Sequence, residues 1–169
     1  ITALNQMSQE EFVAVLGGVF EKTPAIAAQA WHLRPFQDGS DLAQKMLGVM
    51  WSMSDADQLS LLRAHPDLGS KVKMTDASVQ EQTAAGLNQL TAEEYEQFHA
   101  LNRAYQEKFG FPFIVAVKNH TKLSILDTFH QRLGNIVEVE REQALIEISH
   151  IVQFRLTELL GALPHIATG

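Results

Sequence analysis

Residues 63–82 bring together side chains that can carry a proton, a negative charge and hydrogen bonds. An apolar helical run ends at His65, and Pro66 stops that run. After a loop, a second helix is predicted to open with Ser78 and Glu81. Imidazole suits proton transfer near neutrality, because its unperturbed pKa is about 6.5. The stretch could therefore supply a general acid or base together with a carboxylate.

The same residues also have structural interpretations. His65 could be a polar residue at the point where a helix ends, because the residue before a proline is disfavoured in the helical conformation. Ser78 and Glu81 have the spacing of a capping box, in which a serine and a glutamate satisfy the first amides of a helix. The chain repeats this spacing at residues 8–11 and 91–94. Spacing alone therefore leaves both interpretations open.

A second chemical feature is an arginine within an apolar helix face. Helical spacing places Arg155 on one face with Ile151, Val152 and Leu159. An unpaired buried charge is costly, so this guanidinium must bind an anion or extend to solvent. The anion could belong to a ligand, or it could be an Asp or Glu elsewhere in the chain.

The third feature is a short stretch that cannot be regular helix. Gly110 and Pro112 interrupt the chain in quick succession, and residues 114–117 are apolar and mostly β-branched. A buried extended segment without a partner strand leaves its amide and carbonyl groups to be paired in some other way. A ligand rich in donors and acceptors would do this, and so would side chains or water.

Helical periodicity and helix-capping residues account for most of the remaining sequence. We predict a single all-α domain over residues 1–169, with about seven to nine helices and one extended segment at residues 113–117. The predicted helices begin near Ser8 and then cover residues 23–31, 41–53, 54–65, 78–87, 91–108, 121–133 and 137–160. The connection at residues 66–77 is long for a compact domain, which is typical of binding loops as well as of flexible surface loops.

Composition argues against several classes of partner. The chain is 46% hydrophobic and 20% charged, and its formal net charge is −7, which opposes binding to nucleic acid or to anionic membranes. It contains no cysteine, and its seven histidines include no pair three or four residues apart, so we predict no metal site. No Gly-rich nucleotide-binding motif is present.

Targeting signals are also lacking from the sequence. No stretch approaches the about 18 apolar residues of a membrane span. The start has no basic region followed by an apolar core, and the end has no Ser-Lys-Leu signal. We therefore expect a cytoplasmic protein.

In combination, these motifs resemble those of the OHCU decarboxylases, the 2-oxo-4-hydroxy-4-carboxy-5-ureidoimidazoline decarboxylases of the third step from urate to S-allantoin. The resemblance extends from about Phe12 to Leu160 and rests on the order and spacing of several motifs. These motifs are His65-Pro-Asp-Leu, Ser78-x-x-Glu-Gln, Asn102-x-x-Tyr leading into Phe109-Gly-Phe-Pro-Phe, and a late Arg155-Leu. One departure is Ala25, where the family commonly has a tryptophan after the proline, and we interpret it as a local packing difference.

The resemblance implies an all-α homodimer that decarboxylates this substrate and protonates one face of it to give S-allantoin. It implies no cofactor, because the substrate itself can delocalise the electrons released with carbon dioxide. His65 and Glu81 are the implied catalytic residues. The implied substrate-binding residues are Pro66, Ser78, Val79, Gln80, Glu81, Gln82, Phe113, Ile114, Val115, Ala116 and Val117, and we add Arg155 as the partner of the anion.

Two alternative functions remain open at this point. One is a noncatalytic helical module that binds a peptide helix in an apolar groove, for which His65 and Glu81 would be dispensable. The other is a hydrolase that opens a ureido or hydantoin ring in the same pathway. Release of carbon dioxide would separate decarboxylation from hydrolysis.

Overall fold

The computed structural model describes residues 1–69 and 76–162, and within these residues the protein is all-α without strands. Its contacts group into two compact units, residues 1–61 together with the chain from 149 onward, and residues 62–148. The prediction of a single domain therefore stays a prediction. No helix in the described part of the chain is long and apolar enough to cross a membrane.

The described residues form nine α-helices, which confirms the predicted fold class. They are α1 (Thr2–Gln6), α2 (Gln9–Leu16), α3 (Ala25–Ala30), α4 (Gly39–Ser52), α5 (Asp55–Ala64), α6 (Asp76–Ala84), α7 (Ala92–Phe109), α8 (Lys122–Leu133) and α9 (Val137–Ala162). Two short 3₁₀ helices, Trp31–Leu33 and Val117–Asn119, complete the set.

The first unit is built on α2, α3 and α4, with α3 packed against both neighbours. Ser8 forms the predicted capping box with Glu11 at the start of α2. On α4, Leu42, Met46 and Met50 recur at intervals of four residues and are completely buried. The methionines therefore serve as core residues of this unit.

An aromatic core organises the second unit. Helix α7 begins at a capping box formed by Thr91 and Glu94, and it packs against α8. Tyr105 of α7 contacts the rings of Phe113 and Phe129, which stack on each other with centroids 3.8 Å apart. The segment that follows α7 is thus fixed by its aromatic side chains.

The structure corrects two predicted boundaries that bear on the candidate site. Helix α6 begins at Asp76, so Ser78 is its third residue and cannot be its N-cap. The capping-box interpretation of Ser78 is therefore wrong, whereas those at residues 8–11 and 91–94 are confirmed. The extended segment ends at Ala116, because Val117 already belongs to a 3₁₀ helix.

The predicted long connection at residues 66–77 is described only at its ends, because residues 70–75 lie outside the described residues. Residues 163–169, which include the chain end considered for a targeting signal, also lie outside the described residues.

Candidate functional site

The His65-Pro66 pair directly follows the end of α5 at Ala64. The backbone amide of His65 still donates to the carbonyl of Leu62 (3.3 Å), but Pro66 has no amide with which to continue the helix. Both residues are half-buried. Just before them, the guanidinium of Arg63 donates to the carbonyl of Gly110 (3.0 Å) at the end of α7. Gly110 adopts φ +81°, a left-handed conformation that favours glycine and ends that helix.

Helix α7 also holds the chain immediately after the pair. The side-chain amide of Asn102 donates to the carbonyl of Leu68 (3.0 Å), and that of Gln106 donates to the carboxylate of Asp67 (2.6 Å). Asn102 and Gln106 lie four residues apart on one side of α7, and Gly110 is the residue that ends this helix. Residues 63–69 are thus attached to α7 at three points, which fixes the position of His65.

Helix α6 divides the predicted site residues between two faces. Ser78 and Gln82, four residues apart, are buried, and Glu81 is half-buried beside them. Val79 is 46% exposed and Gln80 is exposed as well, so these two lie on the solvent side of the helix. The structure therefore groups Ser78, Glu81 and Gln82, and it places Val79 and Gln80 apart from them.

The side chain of Gln82 has a structural partner. Its Oε1 atom accepts a hydrogen bond from the backbone amide of Gly69 (3.0 Å). Gly69 has φ +69°, and a side chain there would also meet Leu90, with 2.8 Å between its Cβ and a Leu90 methyl. Gln82 thus links α6 to the chain that follows Pro66, and it fixes one end of the connection between them.

The extended segment reaches the same region, because α6 packs against the 3₁₀ helix Val117–Asn119 that ends it. Every residue of the segment 113–117 is at most 6% exposed. The backbone amides of residues 113–116 nevertheless donate to no acceptor among the described residues. Buried amides are nearly always paired in folded proteins, so this row of donors is unusual.

A buried polar network supports one carbonyl of this segment. Arg132 forms an ion pair with Glu140 (2.8 Å) and donates to the carbonyl of Ile114 (2.5 Å). Glu140 also accepts from the hydroxyl of Tyr105 (2.5 Å) and from the amide of Asn135 (2.9 Å). Burial, and then the hydrogen bond to the Glu140 carboxylate, raise the pKa of Tyr105 far above its usual value. The phenol therefore stays protonated and acts as a donor.

The sequence analysis did not single out Arg132 or Glu140. A signal was present, because Arg132 shares a helix face with Ile125 and Phe129, both fully buried. The reasoning applied to Arg155 would have identified it as a second arginine in need of an anion.

Arg155 itself pairs with a carboxylate of the first unit. Its Nη2 atom lies 3.2 Å from Oε2 of Glu21, and its Nη1 donates to the carbonyl of Val19 (3.2 Å). Arg155 is 5% exposed and Glu21 is completely buried. An internal ion pair, one of the two possibilities left open by the sequence, is therefore present. A role of Arg155 in substrate binding stays a prediction.

The described residues contain no group of three or more His, Asp or Glu side chains arranged to hold a metal ion. The candidate polar groups on α6, around His65 and in residues 113–116 are an imidazole, a carboxylate, a hydroxyl, a carboxamide and a row of backbone amides. Such a set can bind a small polar molecule by hydrogen bonds and move a proton on it.

Comparison with known proteins places this arrangement in a family. The family model described as OHCU decarboxylase matches residues 5–157. The chain is 45% identical over 156 residues to the uric acid degradation bifunctional protein of Bacillus sp. (strain TB-90), covering 92% of this chain and 31% of that protein. It is 42% identical to the 2-oxo-4-hydroxy-4-carboxy-5-ureidoimidazoline decarboxylase of Halalkalicoccus jeotgali, covering 92% of this chain and 89% of that protein.

A solved structure agrees with these relatives. The crystal structure of an (S)-allantoin synthase superposes with a TM-score of 0.73 at 30% identity, covering 94% of this chain and 53% of the other. The chain spans about a third of the length of the bifunctional relatives, matching 31% and 32% of the two. Because the family model covers most of the chain, and a relative of similar length is well above 30% identical, the chain belongs to the OHCU decarboxylase family.

Proposed function

We propose that the chain decarboxylates 2-oxo-4-hydroxy-4-carboxy-5-ureidoimidazoline to S-allantoin and carbon dioxide in urate catabolism. The observation that carries the proposal is the buried row of backbone amides at residues 113–116, close to α6. A planar ring bearing carbonyl oxygens and a carboxylate offers acceptors for such donors, whereas an apolar peptide helix offers none.

The substrate-binding surface is formed by three groups of residues. Pro66 shapes the wall beside His65, and the backbone of residues 113–117 donates to the polar edge of the ring. Ser78, Glu81 and Gln82 lie on the inner side of α6, where Glu81 can accept hydrogen bonds from the ureido N–H groups. The family resemblance also assigns Val79 and Gln80 to the substrate-binding residues, and their side chains are exposed on α6.

In the chemical step, the bond between the ring carbon and the carboxylate breaks and carbon dioxide leaves. The electron pair of that bond is delocalised over the ring, so the substrate supplies its own electron sink. His65, as imidazolium, then donates its proton to a ring carbon, and it regains a proton from solvent. Because His65 is held on one side of the substrate, only one enantiomer forms.

The carboxylate of Glu81 has a second effect. A negative charge near the substrate carboxylate disfavours the ground state more than the transition state, in which that charge has moved into the ring. The bonds from residues 63–69 to α7, together with the bond from the Gly69 amide to Gln82 on α6, restrain the chain around His65 relative to the helix that carries Glu81.

The test is an assay with substrate carrying ¹³C in the carboxyl group. We expect labelled carbon dioxide and optically active allantoin, whereas protonation by water from either face would give a racemate. The variant His65→Asn should lose both activities, and the matched control His130→Asn, on the exposed surface of α8, should retain them.

Ring opening without labelled carbon dioxide would instead identify a hydrolase. A protein that turns over neither the substrate nor a hydantoin, and that tolerates Glu81→Ala, would be a binding module. We also propose, from the family resemblance, a cytoplasmic homodimer, which light scattering and cell fractionation would test.

A further inference from the structure

The extended segment that would bind the ring has no partner strand among the described residues, so something else must fix the direction of its amides. A loop of apolar residues with unpaired amides would otherwise sample many conformations. In this structure Arg132 holds the segment by two contacts. Its Nη1 atom donates to the carbonyl oxygen of Ile114 (2.5 Å), and its Cζ atom lies 4.5 Å from the ring centroid of Phe113.

Arg132 is itself held rigidly. Its Nε and Nη2 atoms both bind the carboxylate of Glu140, at 2.9 Å and 2.8 Å. That carboxylate receives two further donors, the hydroxyl of Tyr105 and the amide of Asn135. In a planar guanidinium bound on one edge by a carboxylate, the remaining N–H groups are confined to the same plane and keep fixed directions within it.

We infer that Arg132 is a positioning residue for the substrate, because the Arg132–Glu140 pair holds residues 113–116 with their amides directed at the ring. This inference deepens the proposed function and rests on it for its catalytic readouts. Arg132 does not touch the substrate in this scheme, since Glu140, Tyr105 and the Ile114 carbonyl engage all three of its nitrogen atoms.

Tyr105 extends the support to α7. Its hydroxyl binds Glu140, while its ring packs against Phe109, Phe111 and Phe113. The segment is thus connected, through one carboxylate and one arginine, to the helix that also holds residues 63–69. Both halves of the proposed site in this unit are therefore positioned from α7.

The test uses two variants and one control. Arg132→Lys keeps the charge but cannot bind Glu140 and the Ile114 carbonyl in one plane, and Tyr105→Phe removes one hydroxyl while the ring remains. The control Met46→Ala creates a core defect on α4, in the first unit, and sets the effect of lowered stability alone. Melting curves identify temperatures at which all variants are folded.

For Arg132→Lys we expect KM to rise by at least about tenfold, a change that removes about 1.4 kcal/mol of binding free energy, with a smaller change in kcat. The allantoin produced should lose optical purity, since a loosely held ring can be protonated on either face. Tyr105→Phe should show the same changes to a smaller degree, and Met46→Ala should show neither.

An activity-independent measurement separates this inference from the proposed function. Amide hydrogen exchange of residues 113–116 should accelerate in both network variants and stay unchanged in Met46→Ala. Unaltered exchange and unaltered KM in folded Arg132→Lys would overturn the inference. Inactive wild-type protein would overturn the proposed function instead, while faster exchange in the network variants would still support the positioning of the segment.

Discussion

Glu21→Gln tests how much the buried ion pair of the first unit contributes to stability, because it removes the carboxylate that Arg155 binds without altering Arg155. The pair lies at 3.2 Å, with Glu21 completely buried and Arg155 5% exposed. Removing one partner of such a pair leaves the other charge poorly compensated and costs about 3–5 kcal/mol of unfolding free energy. For a chain of this length, 1 kcal/mol lowers Tm by about 2–4 °C, so we expect a decrease of about 6–20 °C.

The assay is a set of melting curves for wild type, Glu21→Gln, Glu21→Leu, Arg155→Met and the double variant Glu21→Leu/Arg155→Met. Each charge-removing single variant should melt early, since it strands one charge. The double variant should regain much of the loss, because apolar residues of similar volume can replace a buried ion pair at little cost. The cycle of single and double variants isolates the coupling between the two residues.

The same proteins decide whether Arg155 also binds substrate. If it serves only the core, the double variant, once folded, should have the KM and kcat of wild type. If it also pairs with the substrate anion, the double variant should recover Tm but retain a raised KM. A Glu21→Gln variant that melts within about 2 °C of wild type would refute the stability argument itself, because that shift corresponds to at most about 1 kcal/mol.

Three further predictions concern the second unit. Turnover of His65→Asn should fall at least about a hundredfold without a change in Tm, and a normal rate in this folded variant would contradict the proposed acid. Ser78→Ala should raise KM, whereas Thr91→Ala should leave KM unchanged. Because only Thr91 is a helix cap, Thr91→Ala should instead lower the unfolding free energy, measured in urea, by about 0.5–2 kcal/mol. Equal KM values for the two variants would contradict this distinction. Because the pKa of Tyr105 is raised in the folded protein, its protonated hydroxyl contributes stability that is complete below the unfolded pKa of about 10. This contribution is lost as the pH rises toward the folded pKa. Above about pH 10, the urea midpoint of wild type should therefore fall more steeply with pH than that of Tyr105→Phe.

Local signals in the sequence were sufficient for most of the fold. The capping boxes at Ser8 and Thr91 and the stop at Gly110 depend on neighbouring residues alone, and all three are found where predicted. The start of α6 was misplaced for a related reason. Asp76 is also favourable in a first helical turn, so the sequence did not identify Ser78 as the helix cap in preference to an earlier start.

Long-range partners were not predictable in the same way. Periodicity placed Arg155 on a buried face, but it could not choose between a ligand and one of twenty acidic residues, and the partner proved to be Glu21, far away in sequence. For Gln82, likewise, the family resemblance implied a side chain in the substrate site. That its Oε1 binds the amide of Gly69 follows from tertiary structure alone.

The sequence contains a further signal for the proposed site, namely polar residues at helical spacing, which a search for apolar periodicity does not detect. Asn102 and Gln106 lie four residues apart on α7, Gly110 ends this helix, and each of the three contacts the chain around His65. None of them is apolar, so a search for buried stripes passes over the side of the helix on which the proposed acid depends. Helix packing fixes a residue to within a rotamer, whereas hydrogen bonds to backbone carbonyls also fix direction, which proton transfer requires. Polar contacts that hold the chain beside a candidate proton donor therefore support the proposed site in a way that the donor alone does not.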